Sequence, residues 1–399
     1  MGTISNEELV QKAIVTTDAI ASSGKLNPQQ ANKFIDYVFD LSGLKNAVRT
    51  VKFSPEELNI DKIGVGKRVA VPASEAVAPS VRRGVNTSKV TLKPVEIMVP
   101  FEIGDTFKEI NIEQDQVEDH IIKMMATQLA NDLETLYIEG DALGRADLES
   151  NLLEGGSTTL YVKDTYLALF DGWLRKADSA NIVDLAGQNI GTNVFSRMLN
   201  AMPAKFKRDR SNLRFATSLD LEQNYRERVS TRATAEGDRA LGSLMPLTPF
   251  GVPLVPFPLY PYKYREVEHV TLNGTTAVSL RRTNISNVVV TKTTLAGMPE
   301  AKYVNDTDYD LDLAAGTIAR DAAGAITDGQ TVKVTYDALP TVLLTHMSNL
   351  IIGIGRDIRI EKDRDIFRRA NQYAITLKAA CEIEEVTAVV KGVNVGTGT

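Results

Sequence analysis

The feature that most constrains this chain lies between residues 67 and 103, which spell a long two-stranded ribbon with little of its own to bury. Arg68 to Val71 has strand character, residues 72 to 87 are rich in Pro, Ser, Ala and Gly, and residues 88 to 103 are strand-like again. In the return limb Val90 and Leu92 alternate with Lys89, Thr91 and Lys93, while Ile97, Val99, Phe101 and Ile103 alternate with Glu96, Met98, Pro100 and Glu102. That is the period of a strand with one apolar face. A lone hairpin is marginal in water, and the far end, with Arg82 and Arg83, has too few apolar residues for a private core. It must lie on something else. The helix that follows supports only its base, so the ribbon is expected to lie across a neighbouring copy.

That helix opens at Asn111 with Gln114. Val117, Ile121, Met124, Met125, Leu129, Leu133, Leu136 and Tyr137 keep one apolar face until Gly140 ends it. From Ile112 to Glu139 it spans ~40 Å, long against a mean of about 11 to 12 residues. Upstream, Ser5 with Glu8 starts one short helix through Leu9, Val10, Ala13, Ile14 and Thr17. Asn27, Pro28 and Gln30 start another, whose stripe of Phe34, Ile35, Val38 and Leu41 stops at Gly43. Together they form an N-terminal arm.

Residues 160 to 250 read as mixed α/β, with helices near 164 to 176, 192 to 202 and 219 to 230 and a strand at Leu213 to Thr217. The prolines of Phe250 to Pro258 forbid a regular helix and suit extended chain at a domain edge. Residues 265 to 338 turn to strands: Val267 to Leu272, Ala277 to Arg281, Val288 to Lys292, Tyr309 to Leu313 and Thr331 to Tyr336, divided by Gly, Asn and Asp turns. This is expected to be a β-sandwich inserted into the mixed domain. In the last segment Tyr373, Ile375, Leu377, Ala379, Cys381 and Ile383 alternate with polar positions, and their partner strand is Leu350 to Lys362, joined through the polar loop Asp363 to Asn371.

Composition and motifs exclude several function classes. A net charge of -6 and a pI near 5.4 argue against a protein built to grip nucleic acid. Cys381 is the single cysteine, which rules out an intrachain disulfide and a multi-cysteine zinc site. No stretch approaches the ~18 apolar residues of a membrane span, and Met1 to Leu9 lacks the signature of an export signal; the Asn-x-Ser/Thr matches at Asn86, Asn273, Asn284 and Asn305 are therefore read as chance. His120, His269 and His346 fall in separate patterns. Gly353-Ile354-Gly355 opens like a dinucleotide fingerprint, but Ile358 stands at its third glycine and a strand follows. Asp306, Asp308, Asp310 and Asp312 have the spacing of a calcium loop with Leu311 where glycine is required, and the spacing equally describes one solvated strand face. Lys207, Arg208, Arg210 and Arg214 read as a solvated or subunit-contacting cluster. No catalytic residue, cofactor or metal is expected.

An arm, a ribbon ending in Phe101-Glu102-Ile103-Gly104-Asp105, a long helix, a mixed domain leaving through Phe250-Gly251-Val252-Pro253, and a closing long-stranded hairpin follow in this order. The order resembles the major capsid proteins of tailed bacteriophages with the Hong Kong 97-type fold, over residues 1 to 262 and 341 to 395. Asp357 to Asp365 followed by Tyr373 to Ile383 is the most specific local match. The resemblance implies an α+β fold with an N-terminal arm at 1–60, an E-loop at 61–105, a P-domain with its spine helix at 106–160, an A-domain at 161–263, the inserted β-sandwich at 264–340 and closing strands at 341–399. Its Asp308 to Val334 portion resembles immunoglobulin-like phage decorations.

The same resemblance implies a structural protein of the virion, assembled in the host bacterial cytoplasm into hexamers and pentamers around double-stranded DNA. A separate scaffolding protein, a portal and a decoration protein would be its partners. Arg82 and Arg83 are then expected to pair with Glu113, Asp115, Glu118 or Asp119 on the spine helix of an adjacent copy. Lys67, Lys89 and Lys93 lie in the ribbon, yet nothing identifies an acceptor for a covalent cross-link. The alternative is an encapsulin-like compartment enclosing a cargo enzyme, and a glycan-binding role for residues 264 to 340 would be compatible with either.

Overall fold

The computed structural model describes residues 14–15, 47–53, 57–64, 86–110, 116–144, 160–161, 165–231, 246–292 and 300–396. Its centre is a five-stranded sheet in the order Ile14–Val15, Val95–Gly104, Ala370–Ile383, Leu350–Asp365, Arg49–Lys52. The last two long strands pair antiparallel from Leu350↔Ile383 to Asp365↔Ala370, with register shifts around Arg356. The alternation read from the sequence has a direct physical outcome. Tyr373, Ile375, Leu377, Ala379, Cys381 and Ile383 are all buried, packed with Leu129, Leu136 and Tyr137 of the helix Gln116–Glu139 and with Trp173. Phe101 and Tyr373 stack at 5.0 Å between neighbouring strands.

A second five-stranded sheet runs Asn181–Asp184, Val390–Val393, Val342–His346, Leu213–Ser218, Leu254–Phe257. Helices Thr192–Ala201 and Leu219–Ser230 contribute to its core, Phe195 meeting Phe215 at 4.7 Å and Tyr225 at 4.9 Å. Ser218 ends the strand and starts the next helix, its hydroxyl accepting from the Leu221 amide at 3.3 Å. The proline-rich Leu254–Phe257 takes the sheet edge, where a missing N–H costs least.

Residues 265–337 form two three-stranded sheets, one of Arg265–Leu272, Gln330–Asp337 and Ser286–Lys292, the other of Val278–Ser279, Thr317–Arg320 and Tyr309–Asp312. They enclose a core of their own around Val270, Leu272, Ile318, Val332, Val334 and Tyr336. Thr317–Arg320 escaped the sequence reading because it is short and follows a tight turn. Asp312 accepts there from the amides of Ala314 and Ala315 at 3.0 and 2.9 Å, and Gly316 takes a φ of 64°.

Three expectations need correction. Ile14–Val15 is not helical but extended, pairing parallel with Glu102 and Ile103; two β-branched residues beside an open sheet edge gain more there than in a helix. The rest of both arm helices lies outside the described residues. The ribbon's paired limbs are Leu58–Gly64 and Asn86–Leu92, and Val95–Gly104 leaves them for the central sheet, because Pro94 interrupts the return limb. Arg68 to Val71 lies outside the described residues. The helix expected from Ile112 is described over Gln116–Glu139, residues 111–115 lying outside the described residues, and a short helix the sequence reading did not name, Asp105–Ile110, comes before it. Among the described residues near 164 to 176, only Trp173–Lys176 is α-helical, since Gly172 backs onto the end of the long helix: a Cβ there would stand 2.7 Å from the Gly140 amide nitrogen.

Candidate assembly surface

The central hairpin, accompanied by Val95–Gly104 as far as the pair Ala370↔Gly104, turns through Asp365-Ile366-Phe367-Arg368-Arg369. Ile366 is 77% exposed and Phe367 100% exposed. An apolar pair at the apex of a hairpin is not what a solvated turn requires. The apex is also held in place. The Asp365 carboxylate accepts from the Phe367 and Arg368 amides at 2.9 and 3.1 Å, and Arg369 takes a φ of 51° to bring the chain back. Arg368 pairs with Glu102 at 3.2 Å and Arg364 with Asp105 at 3.0 Å, tying both sides of the turn to the adjoining chain. Such exposed pairs contribute little each, but together they limit the directions in which Phe367 can point. The sequence reading took Asp363 to Asn371 as a polar loop, and Ile366-Phe367 at its centre was the signal it missed.

The base of the ribbon, Leu58–Gly64 with Asn86–Leu92, rests on its own chain. Leu92 is buried with Phe53, Ile351 and Ala380, with Leu58 and Ile60 packed against them. Lys62 reaches Glu385 at 3.5 Å. The Gly353-Ile354-Gly355 motif now has its reason: a Cβ at Gly353 would stand 3.0 Å from both Leu92 and Phe53, and one at Gly355 3.1 Å from Pro94. The pair lets the ribbon base cross close over the strand. Arg82, Arg83, Glu113 and Asp115 lie outside the described residues, and Glu118 and Asp119 fall on the first turn of Gln116–Glu139.

The remaining candidates resolve into structural roles. Cys381 is buried with its thiol directed at the Asp171 carbonyl at 3.3 Å, and burial pushes its pKa up to about 12, with Lys176 opposing and Glu382 and Asp171 adding to the rise. His120, His269 and His346 sit on three separate elements, His346 contacting the Phe206 carbonyl at 3.2 Å. Asp308 turns inward to accept from the Val304 and Ala325 amides, both at 2.8 Å, while Asp306, Asp310 and Asp312 are exposed. Among the described residues no three His, Cys, Asp or Glu side chains are placed to hold a metal. Arg214 folds back onto the Leu213 carbonyl at 2.7 Å, which separates it from the exposed Arg208 and Arg210. No described helix is long and apolar enough to cross a membrane.

Comparison with known proteins adds three findings. A family model described as "Protein of unknown function UCP028589" matches residues 265–349. A Bacillus subtilis (strain 168) protein named as a prophage capsid protein, YqbE, is 29% identical over 394 residues, covering 98% of this chain and 99% of the relative. Among solved structures, the capsid of a native GTA particle aligns with a TM-score of 0.51 at 13% identity over 96% of this chain and 100% of that one. That of the satellite phage P4 procapsid aligns over 100% of both chains with a TM-score of 0.49 at 12% identity. The assignment of fold rests on the GTA capsid, and the relationship by sequence on the prophage protein.

Proposed function

We propose that this chain, a phage capsid protein by its fold and its full-length relative and not an enzyme, assembles with copies of itself into the hexamers and pentamers of an icosahedral shell around double-stranded DNA. The observation that carries the reading is the apex of the central hairpin. A fully exposed Phe367 beside a 77% exposed Ile366, on a turn braced by Asp365, Arg364 and Arg368, is an apolar contact presented to another molecule. A second copy is the partner a homo-oligomeric shell supplies.

The domain plan follows the resemblance. Residues 1–60 act as an arm, 61–105 as the E-loop, 106–160 as the P-domain with its spine helix, and 161–263 with the closing strands of 341–399 as the A- and P-domain framework. Residues 264–340 are an insertion: the chain leaves the second sheet after Leu254–Phe257 and re-enters it as Val342–His346, which supports that reading. Arg82 and Arg83 at the ribbon end, pairing with Glu113, Asp115, Glu118 or Asp119 of an adjacent copy, would add a charged clasp to the apolar one. A scaffolding protein, a portal and a decoration protein complete the assembly, in the cytoplasm of the host. The prophage origin of the full-length relative favours a phage shell over an encapsulin-like compartment.

The test is Phe367→Ser. With its side chain in solvent, the change is expected to leave the isolated subunit's thermal midpoint essentially unchanged, while closed particles disappear from sedimentation profiles and negative-stain images. Normal yields of closed shells from the variant would count against the apex as an assembly contact. A wild-type chain that stays a single molecule at high concentration would overturn the reading altogether.

A further inference from the structure

Between the 265–337 unit and the rest of the chain lies a buried cluster of charge that the shell reading does not use. The strand Arg265–Leu272 has Glu266, Glu268, Val270 and Leu272 in one phase, paired with Tyr336, Val334, Val332 and Gln330. Two glutamates thus occupy positions facing the unit's own core, and they are 1% and 6% exposed. Tyr336 donates to Glu268 at 2.7 Å. Arg282, 4% exposed, donates to Glu266 at 2.6 Å with its Nε and reaches out of the unit with its Nη2 to Asp178 at 3.0 Å.

Asp178 belongs to the turn after Trp173–Lys176, on the framework side. Its carboxylate also accepts from Lys391 at 2.7 Å and from Arg175 at 3.2 Å, with Arg281 at 3.9 Å. Lys391 is fully buried, donates to the Leu174 carbonyl at 3.0 Å and stands 3.9 Å from Glu266 and 5.2 Å from the Tyr264 ring centroid. With Asp141, 3.8 Å from Arg175, and Glu268, 3.8 Å from Arg281, the cluster balances four cations (Arg175, Arg281, Arg282, Lys391) against four carboxylates (Asp141, Asp178, Glu266, Glu268). Burial opposes the charge on Asp178, but Lys391, Arg282 and Arg175 outweigh it and hold the carboxyl below its ordinary range.

We infer that Asp178 is the positioning residue of the 265–337 unit: as the shared acceptor of Arg282 from the unit and Lys391 and Arg175 from the framework, it locks the unit in one orientation. Two other attachments of the unit are of a different kind. Lys333, in the opposite strand phase from Glu266's partner Tyr336, donates to the Gly144 carbonyl at 3.1 Å, and Glu300–Ala301 pairs with Leu160–Tyr161. These tether the unit from elsewhere and leave it able to rock once the charged contact is lost. A buried charge cluster is suited to the locking role because its geometry is specific: moving one member strands the others without partners. The inference concerns the joint alone and stands whether or not the chain forms shells.

The experiment uses the full chain with spin labels at His269→Cys, exposed on the unit, and Asn193→Cys, exposed on the framework. The native Cys381 is buried and does not compete for label. A single narrow distance distribution is expected, and Asp178→Asn is expected to broaden it or split it while the far-UV circular dichroism of the chain persists. An unchanged narrow distribution in folded Asp178→Asn would overturn the inference. Should that variant not fold, Arg282→Lys, which keeps the charge but loses the fork that spans Glu266 and Asp178, is expected to broaden the distribution in the same way, and its failure to do so counts equally against the proposal.

Discussion

The central hairpin and the 265–337 unit are both β structure, but they are attached to the molecule in opposite ways. Ala370–Ile383 lays a row of apolar side chains on the long helix and Trp173, so its attachment is spread over many contacts of similar weight. The 265–337 unit has a complete apolar core facing inward on itself and meets the framework near Asp178 through charged groups. Apolar contact is non-directional and tolerates small adjustments. A buried charge cluster is directional, and its members are costly to leave without a counter-charge. Orientation can therefore be sensitive at a few residues in one region and at none in particular in the other.

The sharpest way to break that contrast is Glu266→Ala. Removing a carboxylate that is 1% exposed leaves Arg282 and Lys391 buried with less counter-charge, and a loss of about 4 kcal/mol is expected from the general cost of breaking buried pairs, read as a fall in the denaturation midpoint of the full chain. Next in size is Ile375→Ala in the middle of the hairpin's apolar row, where the residue is 0% exposed. The expected loss is about 3 kcal/mol by equilibrium denaturation. If Ile375→Ala proved the costlier of the two, the distinction between spread and concentrated attachment would fail.

The smallest effect is expected at Gly353→Ala, whose new methyl would press on Leu92 and Phe53 at 3.0 Å. Crowding of this kind costs roughly 2 kcal/mol, and amide exchange should quicken in Leu58–Gly64 and Asn86–Leu92 ahead of the hairpin strands. Slowed or unaltered exchange in the ribbon would show that the glycine is not there for its close approach.

Much of the framework was legible because its signals are local. The two-residue period from Tyr373 to Ile383, the helical face carrying Leu129, Leu136 and Tyr137, and the turn-divided strands beyond Arg265 each occupy a few adjacent residues. Where the reading failed, the competing influence was equally identifiable. Pro94 split the return limb, the long helix crowded Gly172, and a sheet edge captured Ile14 and Val15. Phe367 was visible in the sequence but was averaged into a polar loop, because nothing local distinguishes an apolar residue that will be covered from one that will stand in solvent.

The chain's sequence by itself determined which stretches become strand or helix, which faces of them are apolar, and that no cysteine pair is available to brace the fold, since backbone preference and side-chain period act between near neighbours. Only the tertiary structure decided which charges meet. Asp178 finds Arg282 across 104 residues and Lys391 across 213, and the glutamates in the buried phase of Arg265–Leu272 become comprehensible once those partners arrive. Coulombic pairing at this range of sequence carries no periodicity, so it is written in the packing of finished elements and not in the order of residues along any one of them.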